Sequence, residues 1–233
     1  VKLQNREGKD IRKLLTELEG KVVALPGQKG KSKIEAIKDG KLITVNRSGV
    51  DYTMLGPNRM FSNSTVLVPF LSNNAGARAN LAGKMGVQAL SLKYREKPLV
   101  QTASDRENKT NEDIIGEKIT PHSPVDGEVI SATEKAVEIK DKSGRKHLVN
   151  LYNNYIIGSK TFLHNEPVVA KGDKVKAGQL LADTNYTKDG VLAMGTNLKT
   201  IYVPYKGLTF EDGIVVSESA AQRLTSQHMY RFD

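Results

Sequence analysis

Apolar positions along the chain follow two periods. Between Lys9 and Glu19, Ile11, Leu14, Leu15 and Leu18 recur at helical spacing, with Gly20 where a helix would stop, so a helix is predicted over 9–19. Val22–Leu25, Ile34–Ile37 and Leu42–Val45 read as short strands, the last two joined by Asp39-Gly40, a two-residue hairpin turn. Leu55–Met60 reads as a turn, and Thr65–Leu71 is an apolar run broken by Pro69. Asn74–Gln88 predicts a helix rich in Ala and Gly, whose small side chains let a backbone or ligand come close. Thr102–Asn111 is polar throughout and reads as a linker.

From Ile119 onward short β segments recur every 8–12 residues: Gly127–Ala132, Ala136–Asp141, Lys146–Leu151, Tyr155–Phe162, Pro167–Ala170, Gln179–Ala182, Thr200–Val203 and Ile214–Ser217. Ser217–Leu224 predicts a short helix capped by Ser217, and Gln227–Phe232 is strand-like. The pattern divides the chain into a small α/β segment (1–50), a helical segment (51–118) and a β-rich segment (119–233). The expected class is α+β, mainly β, with a small barrel or sandwich in the last segment.

Composition narrows the chemistry. Of 233 residues none is Cys, which removes disulfides, thiolate zinc sites, iron–sulfur clusters and thiol nucleophiles. No apolar run approaches the roughly 18 residues of a membrane span. The four His are scattered without metal-ligand spacing, and there is no P-loop, G-x-G-x-x-G or G-x-S-x-G. The formal charge of +9 is unevenly spread: residues 1–100 carry 18 Lys+Arg against 8 Asp+Glu, while the remainder is nearly neutral. A basic half beside a neutral one suits a polyanion, although a solvated Lys-rich surface has the same composition. The chain starts on Val and stops within a strand-like stretch, as expected of a piece of a longer protein.

Three constellations stand out. Pro124-Val125-Asp126-Gly127-Glu128-Val129 and, some 40 residues on, Lys171–Ala182 resemble the two halves of a biotinyl or lipoyl carrier domain, a barrel-sandwich hybrid. The carrier-like Glu35-Ala36-Ile37-Lys38 lies upstream of both halves rather than between them, which argues against carrier function. Second, Glu211-Asp212 follows a Pro- and Gly-bearing loop. Adjacent carboxylates can hold Mg²⁺ through water, and an ordinary acidic turn presents the same pair. Third, Arg78 and Lys84 stand among Ala and Gly in the predicted helix, a setting open to phosphate and equally found on a packing helix with surface cations.

Taken together these stretches resemble the β subunit of multisubunit DNA-directed RNA polymerases. Val50-Asp51-Tyr52 with Val66–Leu71 is similar to the family's "VDY…SLIPFL". Ala77-Arg78-Ala79 through Met85, Gln88 and Ala89 to Lys97–Val100 is similar to "NRALMGANMQRQAVP…PLV". Met194–Glu218 resembles "LALGxNxxVAFMPWxGYNFEDxIxxSE". The match runs over about 45–233, and residues 1–44 carry no motif.

The resemblance implies a barrel-sandwich hybrid and a partial double-psi β-barrel, preceded by a small α/β lobe flanking the RNA–DNA hybrid. It implies that Glu211 and Asp212 lie at the active centre and assist a second Mg²⁺ indirectly, through water. Arg78 would reach the incoming triphosphate, and Lys84 and Gln88 would touch the nucleic-acid backbone. The essential Mg²⁺ would be held mainly by the β′ subunit. The implied partners are β′, the remainder of β, template DNA, RNA transcript and NTP, in a bacterial or infected-host cytoplasm with no membrane. The chain alone would be inactive, since the β′ motif "NADFDGD" and the family's later lysine pair are absent. Ala77 replaces the family's Asn, Lys84 stands in its "GAN", Val87 replaces its second Arg and Tyr205 its Trp, which points to a divergent polymerase such as a phage-encoded one. The alternatives are a barrel-sandwich-hybrid carrier or interaction module, and a nonspecific basic nucleic-acid binder.

Overall fold

The computed structural model describes residues 2–28, 30–56, 61–104, 108–230 and 232. Two compact units emerge, Val1–Gly86 with Ala103–Asn108, and Val87–Thr102 with Lys109–Asp233.

In the first unit, β1 (Lys2–Gln4), β2 (Asp10–Arg12), β3 (Val23–Ala24), β4 (Lys33–Lys38), β5 (Lys41–Asn46) and β6 (Tyr52–Met54) form one sheet in the order β2-β1-β6-β3-β4-β5. All pairings are antiparallel except β3–β6. Leu3, Val23, Ala24, Ile34, Ala36 and Leu55 are buried. Asp39 and Gly40 both take positive φ (48° and 76°), as a type I′ turn requires. The helix expected over 9–19 is not formed. Ile11 instead pairs across the sheet with the fully buried Leu3, and only a 3₁₀ turn follows at Leu15–Leu18. Strand pairing overrides the helical spacing: Ile11 is half-buried against Leu3, while of the remaining stripe residues Leu14 and Leu15 stay exposed and Leu18 is half-buried. Part of the expected turn Leu55–Met60, from Pro57 to Met60, lies outside the described residues.

The expected apolar run Thr65–Leu71 divides between helix α1 (Asn63–Val66) and a 3₁₀ turn at Leu71–Asn73. Helix α2 (Gly76–Val87) follows as predicted. Its Gly83 meets α1: a Cβ there would stand 3.0 Å from Thr65 Oγ1.

The second unit holds helix α3 (Asn111–Ile119), whose first residue falls within the stretch expected as linker. Thr110 caps it: its hydroxyl accepts from the Asp113 N–H (3.1 Å), and the Asp113 carboxylate accepts from the Thr110 N–H (2.8 Å). The buried Glu112 carboxylate accepts from the Thr102 N–H (2.9 Å), so the supposed linker is tied at its ends. Its centre, Asp105 to Glu107, lies outside the described residues. Gly116 lets α3 approach the chain at Gly190, where any Cβ would stand 2.1 Å from the Gly190 carbonyl oxygen.

Strands β7 (Gly127–Ala132), β8 (Ala136–Asp141) and β9 (Lys146–Asn150) form a meander where alternation predicts it. The expected strand Tyr155–Phe162 is instead a hairpin of β10 (Tyr155–Ile156) and β11 (Phe162–Leu163), because the chain turns back at Gly158–Lys160. Then come β12 (Asn165–Pro167), β13 (Lys174–Val175), β14 (Ala182–Thr184), β15 (Thr187–Lys188), β16 (Val191–Leu192) and helix α4 (Glu218–Arg223). β12 pairs with β14, β15 pairs with β16, and β13 adds to the edge of β7 in a sheet ordered β13-β7-β8-β9.

The two carrier-like halves therefore do fold together. Besides the β13–β7 pairing, the Ser123 N–H donates to Gln179 O (2.8 Å), the Gly178 N–H to Ser123 O (2.7 Å) and the Ala177 N–H to Asp126 Oδ1 (2.8 Å). Val129, Val137, Ile139, Leu151, Val175, Leu181 and Ala182 make their common core. The fold is α+β and mainly β, and no sheet among the described residues closes on itself.

Thr200–Val203 and Ile214–Ser217, expected as strands, lie in none. Neither finds a ladder partner among the described residues, and a strand without a partner has nothing to satisfy its backbone. Gln227–Phe232 is likewise in no strand over its described residues, although the neighbouring Ser226 bridges Leu92; Arg231 lies outside them. Helix α4 is capped as predicted, with the Ala220 N–H donating to Ser217 Oγ (3.3 Å). No helix among the described residues is long and apolar enough to cross a membrane.

Candidate functional site

The Glu-Asp pair sits on a loop shaped by two tight turns. In the first, Lys206 (φ 50°) and Gly207 (φ 72°) take left-handed conformations, and the Leu208 N–H donates to Tyr205 O (2.8 Å). Thr209 braces this turn: its hydroxyl donates to Val203 O (2.8 Å) and accepts from the Tyr205 N–H (3.0 Å). In the second, Glu211 itself is left-handed (φ 53°), and the Gly213 N–H closes the turn on Phe210 O (3.0 Å). A left-handed Glu costs about 1–2 kcal/mol relative to an ordinary helical or extended residue. Gly213 is required by space rather than by φ, since a Cβ would stand 2.6 Å from Leu208 O and 3.1 Å from Phe210 O.

Glu211 and Asp212 are both exposed, and neither makes a hydrogen bond or ion pair with another described residue. The apolar side chains around them are also open: Tyr202 is 96% exposed, Ile214 83% and Phe210 78%. With Pro204, Tyr205 and Val215 they line an open groove of 1720 Å³ that includes Glu211 and Asp212.

Two residues that sequence reasoning did not single out hold this segment at its ends. Glu96 Oε2 accepts from the Asn197 backbone N–H (3.1 Å) and side-chain amide (3.0 Å), while Oε1 accepts from the Arg223 guanidinium. These donors, the Asn197 backbone first, hold the Glu96 carboxyl at about 2 against an ordinary 4.5. Glu96 and Arg223 are far apart in sequence and sit in ordinary-looking charged stretches, so no local pattern links them. Asn197 lies within the family-like stretch, which is the one available signal.

The cationic candidates belong to the first unit. Arg78 and Lys84 are exposed on α2, within the first unit, and have no ion-pair partner among the described residues. Six residues apart, they point about 120° from one another around the helix, so they do not share a face. Gln88, also exposed, follows the helix in the second unit with Glu211 and Asp212. The two carboxylates thus share one turn of the second unit, and the two cations lie on different faces of one helix of the first. Asp51 of the family-like Val50-Asp51-Tyr52 has a local structural task, accepting from the Val22 N–H (3.0 Å) and from Arg6 (3.1 Å). Lys38 ends β4 in the first unit, away in sequence and unit from the carrier-like halves of the second.

No family model matches the chain. Curated relatives do. The DNA-directed RNA polymerase subunit beta of Synechococcus elongatus is 33% identical over 192 residues, 82% of this chain. That of Prochlorococcus marinus is 30% identical over an alignment covering 98% of it, and that of Corynebacterium efficiens 32% identical over 83%. The chain belongs to the RNA polymerase β-subunit family. It spans 17%, 21% and 16% of the length of these three β subunits, respectively. Similarity to the Prochlorococcus β subunit extends over nearly the whole chain, and so over most of residues 1–44, which carry no motif of the β family.

Proposed function

We propose that this chain forms part of the active-centre wall of a DNA-directed RNA polymerase and is inactive without the remainder of β and β′. In this reading Glu211 and Asp212 meet the nucleotide-borne Mg²⁺ through water, Arg78 neutralises triphosphate charge, and Lys84 and Gln88 contact the backbone of the RNA–DNA hybrid. The observation that carries it is the Glu211–Asp212 turn: two exposed carboxylates without partners among the described residues, held on a strained backbone, in a stretch that resembles the family's "GYNFED".

The donor set suits an indirect metal role. Among the described residues no group of three or more His, Asp or Glu side chains could hold a metal. Two carboxylates are too few for a protein cage, whereas Mg²⁺ readily keeps several waters and shares its shell with phosphates. When bound, the metal would neutralise charge developing on the transferred phosphoryl group. The chain's own part is placement: the paired turns hold both carboxylates at one loop tip, and the exposed apolar flank offers a surface for neighbouring polymerase parts to cover.

The test is Glu211→Ala with Asp212→Ala in the assembled polymerase. Nucleotide addition should fall by about 10²-fold or more, the scale of losing preorganised electrostatic stabilisation, while assembly is retained. Wild-type elongation by the double variant would overturn the assignment.

A further inference from the structure

Residues Ser91–Lys97 form a strap that stitches the second unit. Ser91 O accepts from the Gln227 N–H (2.8 Å), the Lys93 N–H donates to Thr225 O (2.9 Å), and Arg95 donates to Thr187 O (2.6 Å) and pairs with Glu166 (2.6 Å). Lys97 pairs with Asp189 (3.0 Å). Glu96 differs from its neighbours in what it holds. Its N–H donates to Gly195 O (2.8 Å), Oε2 takes both Asn197 donors, and Oε1 takes Arg223, which also donates to Thr196 Oγ1 (3.1 Å). Asn197 in turn donates to Lys97 O (2.9 Å). The chain leaves this carboxylate at Asn197, runs through the Glu211–Asp212 turn, and returns to it at Arg223.

Between those points the backbone joins no ladder among the described residues. Ahead of α4 its internal backbone hydrogen bonds among the described residues are local turns, as at Tyr205–Leu208 and Phe210–Gly213. Local turns fix the shape of a loop tip but not its placement on the unit, which must come from the ends.

We infer that Glu96 is the positioning residue of the Glu211–Asp212 loop, one carboxylate that fixes both the entry and the exit of the segment carrying it. This rests on the proposed role of that loop for its catalytic consequence, though not for its structural one. A purely stabilising ion pair is a poor account of Glu96, because Glu96 and Arg223 side chains remain 39% and 43% exposed, where ion pairs contribute little to global stability.

The test has two arms. In hydrogen exchange of the full chain, Glu96→Ala should speed exchange of amides in 198–216 by about tenfold or more and leave those of 127–150 within about twofold. Glu96→Gln, whose amide oxygen still accepts from Asn197 but lacks the charge facing Arg223, should fall between. Unchanged loop exchange in Glu96→Ala, or equal acceleration in the meander, would overturn the inference. In the assembled polymerase, Glu96→Gln should lower kcat for nucleotide addition by about tenfold with KM for NTP unchanged, the pattern of a misplaced group rather than lost binding. Where the Glu211/Asp212 double variant is impaired, a wild-type kcat would also overturn it. If the Glu211/Asp212 double variant elongates normally, the site reading fails, and the exchange arm still decides the positioning role.

Discussion

Replacing Gly213 with Ala tests the loop by a single methyl group. The added Cβ would stand 2.6 Å from Leu208 O and 3.1 Å from Phe210 O. Both oxygens belong to backbone, so no side-chain rotation relieves the contact. Reaching even a tight carbon–oxygen separation requires a shift of about 0.4 Å or more, and the attractive well lies further out still. Gly213 is not left-handed, so the perturbation is spatial and adds no φ strain. The atoms that must yield lie in the two turns that present Glu211 and Asp212. A misplacement of about 1 Å can cost about 10²-fold in rate, so a shift near half of that predicts about a tenfold loss. The assay is single-nucleotide addition by the assembled polymerase, with hydrogen exchange of the β7–β9 meander to show that the unit is intact. Gly49→Ala, where a Cβ meets nothing within 4 Å and φ is ordinary, controls for substitution itself. Addition within twofold of wild type by Gly213→Ala would refute the argument that loop geometry sets the rate.

Three further outcomes follow from packing and charge. Gly116→Ala should lower the urea midpoint of the second unit, because overpacking against Gly190 costs about 3 kcal/mol and better helix propensity returns only about 1. Gly86→Ala on α2, where the nearest atom is Ser64 Cβ at 3.7 Å, should leave the first unit's unfolding free energy in urea unchanged or raise it by up to about 1 kcal/mol. The Glu96 carboxyl lies at about 2 in the fold against an ordinary 4.5, so its contribution is present above pH 4.5 and lost as pH falls toward 2. Amide exchange in 198–216, taken relative to that in 127–150, should therefore speed up as pH falls through that window in wild type and change less in Glu96→Gln.

Local pattern carried much of the β architecture. The meander strands β7 and β8 begin and end where alternation places them, because Val129, Val137 and Ile139 are simultaneously the apolar phase of the sequence and the core. Asp39-Gly40 fixed its hairpin through backbone preference alone. The 9–19 stretch misled because its apolar spacing satisfies a helix, while the deciding partner, Leu3, is supplied by another strand. Helix α3 was hidden inside polar residues, although Thr110 and Asp113 spell a capping box. The acidic pair of the candidate site was visible as a motif, and its strained turn was not, since left-handed Glu211 has no sequence signature. Glu96 was invisible for a different reason: a carboxylate between Arg95 and Lys97 looks like surface charge until Asn197 and Arg223 arrive from 101 and 127 residues away.

Those separations give the strap a consequence in time. The β7–β8 and β8–β9 pairings close over short turns, whereas Glu96 must wait for residue 223. Closing a loop of 127 residues costs about 3 kcal/mol more chain entropy than closing a short hairpin. During synthesis at about 5–20 residues per second, the strap would stand exposed for roughly ten seconds before its last partner is made. The meander can form in that interval. The order of folding is then set by the chain itself: core first, strap second, and the loop with Glu211 and Asp212 seated only once Arg223 has closed the clasp.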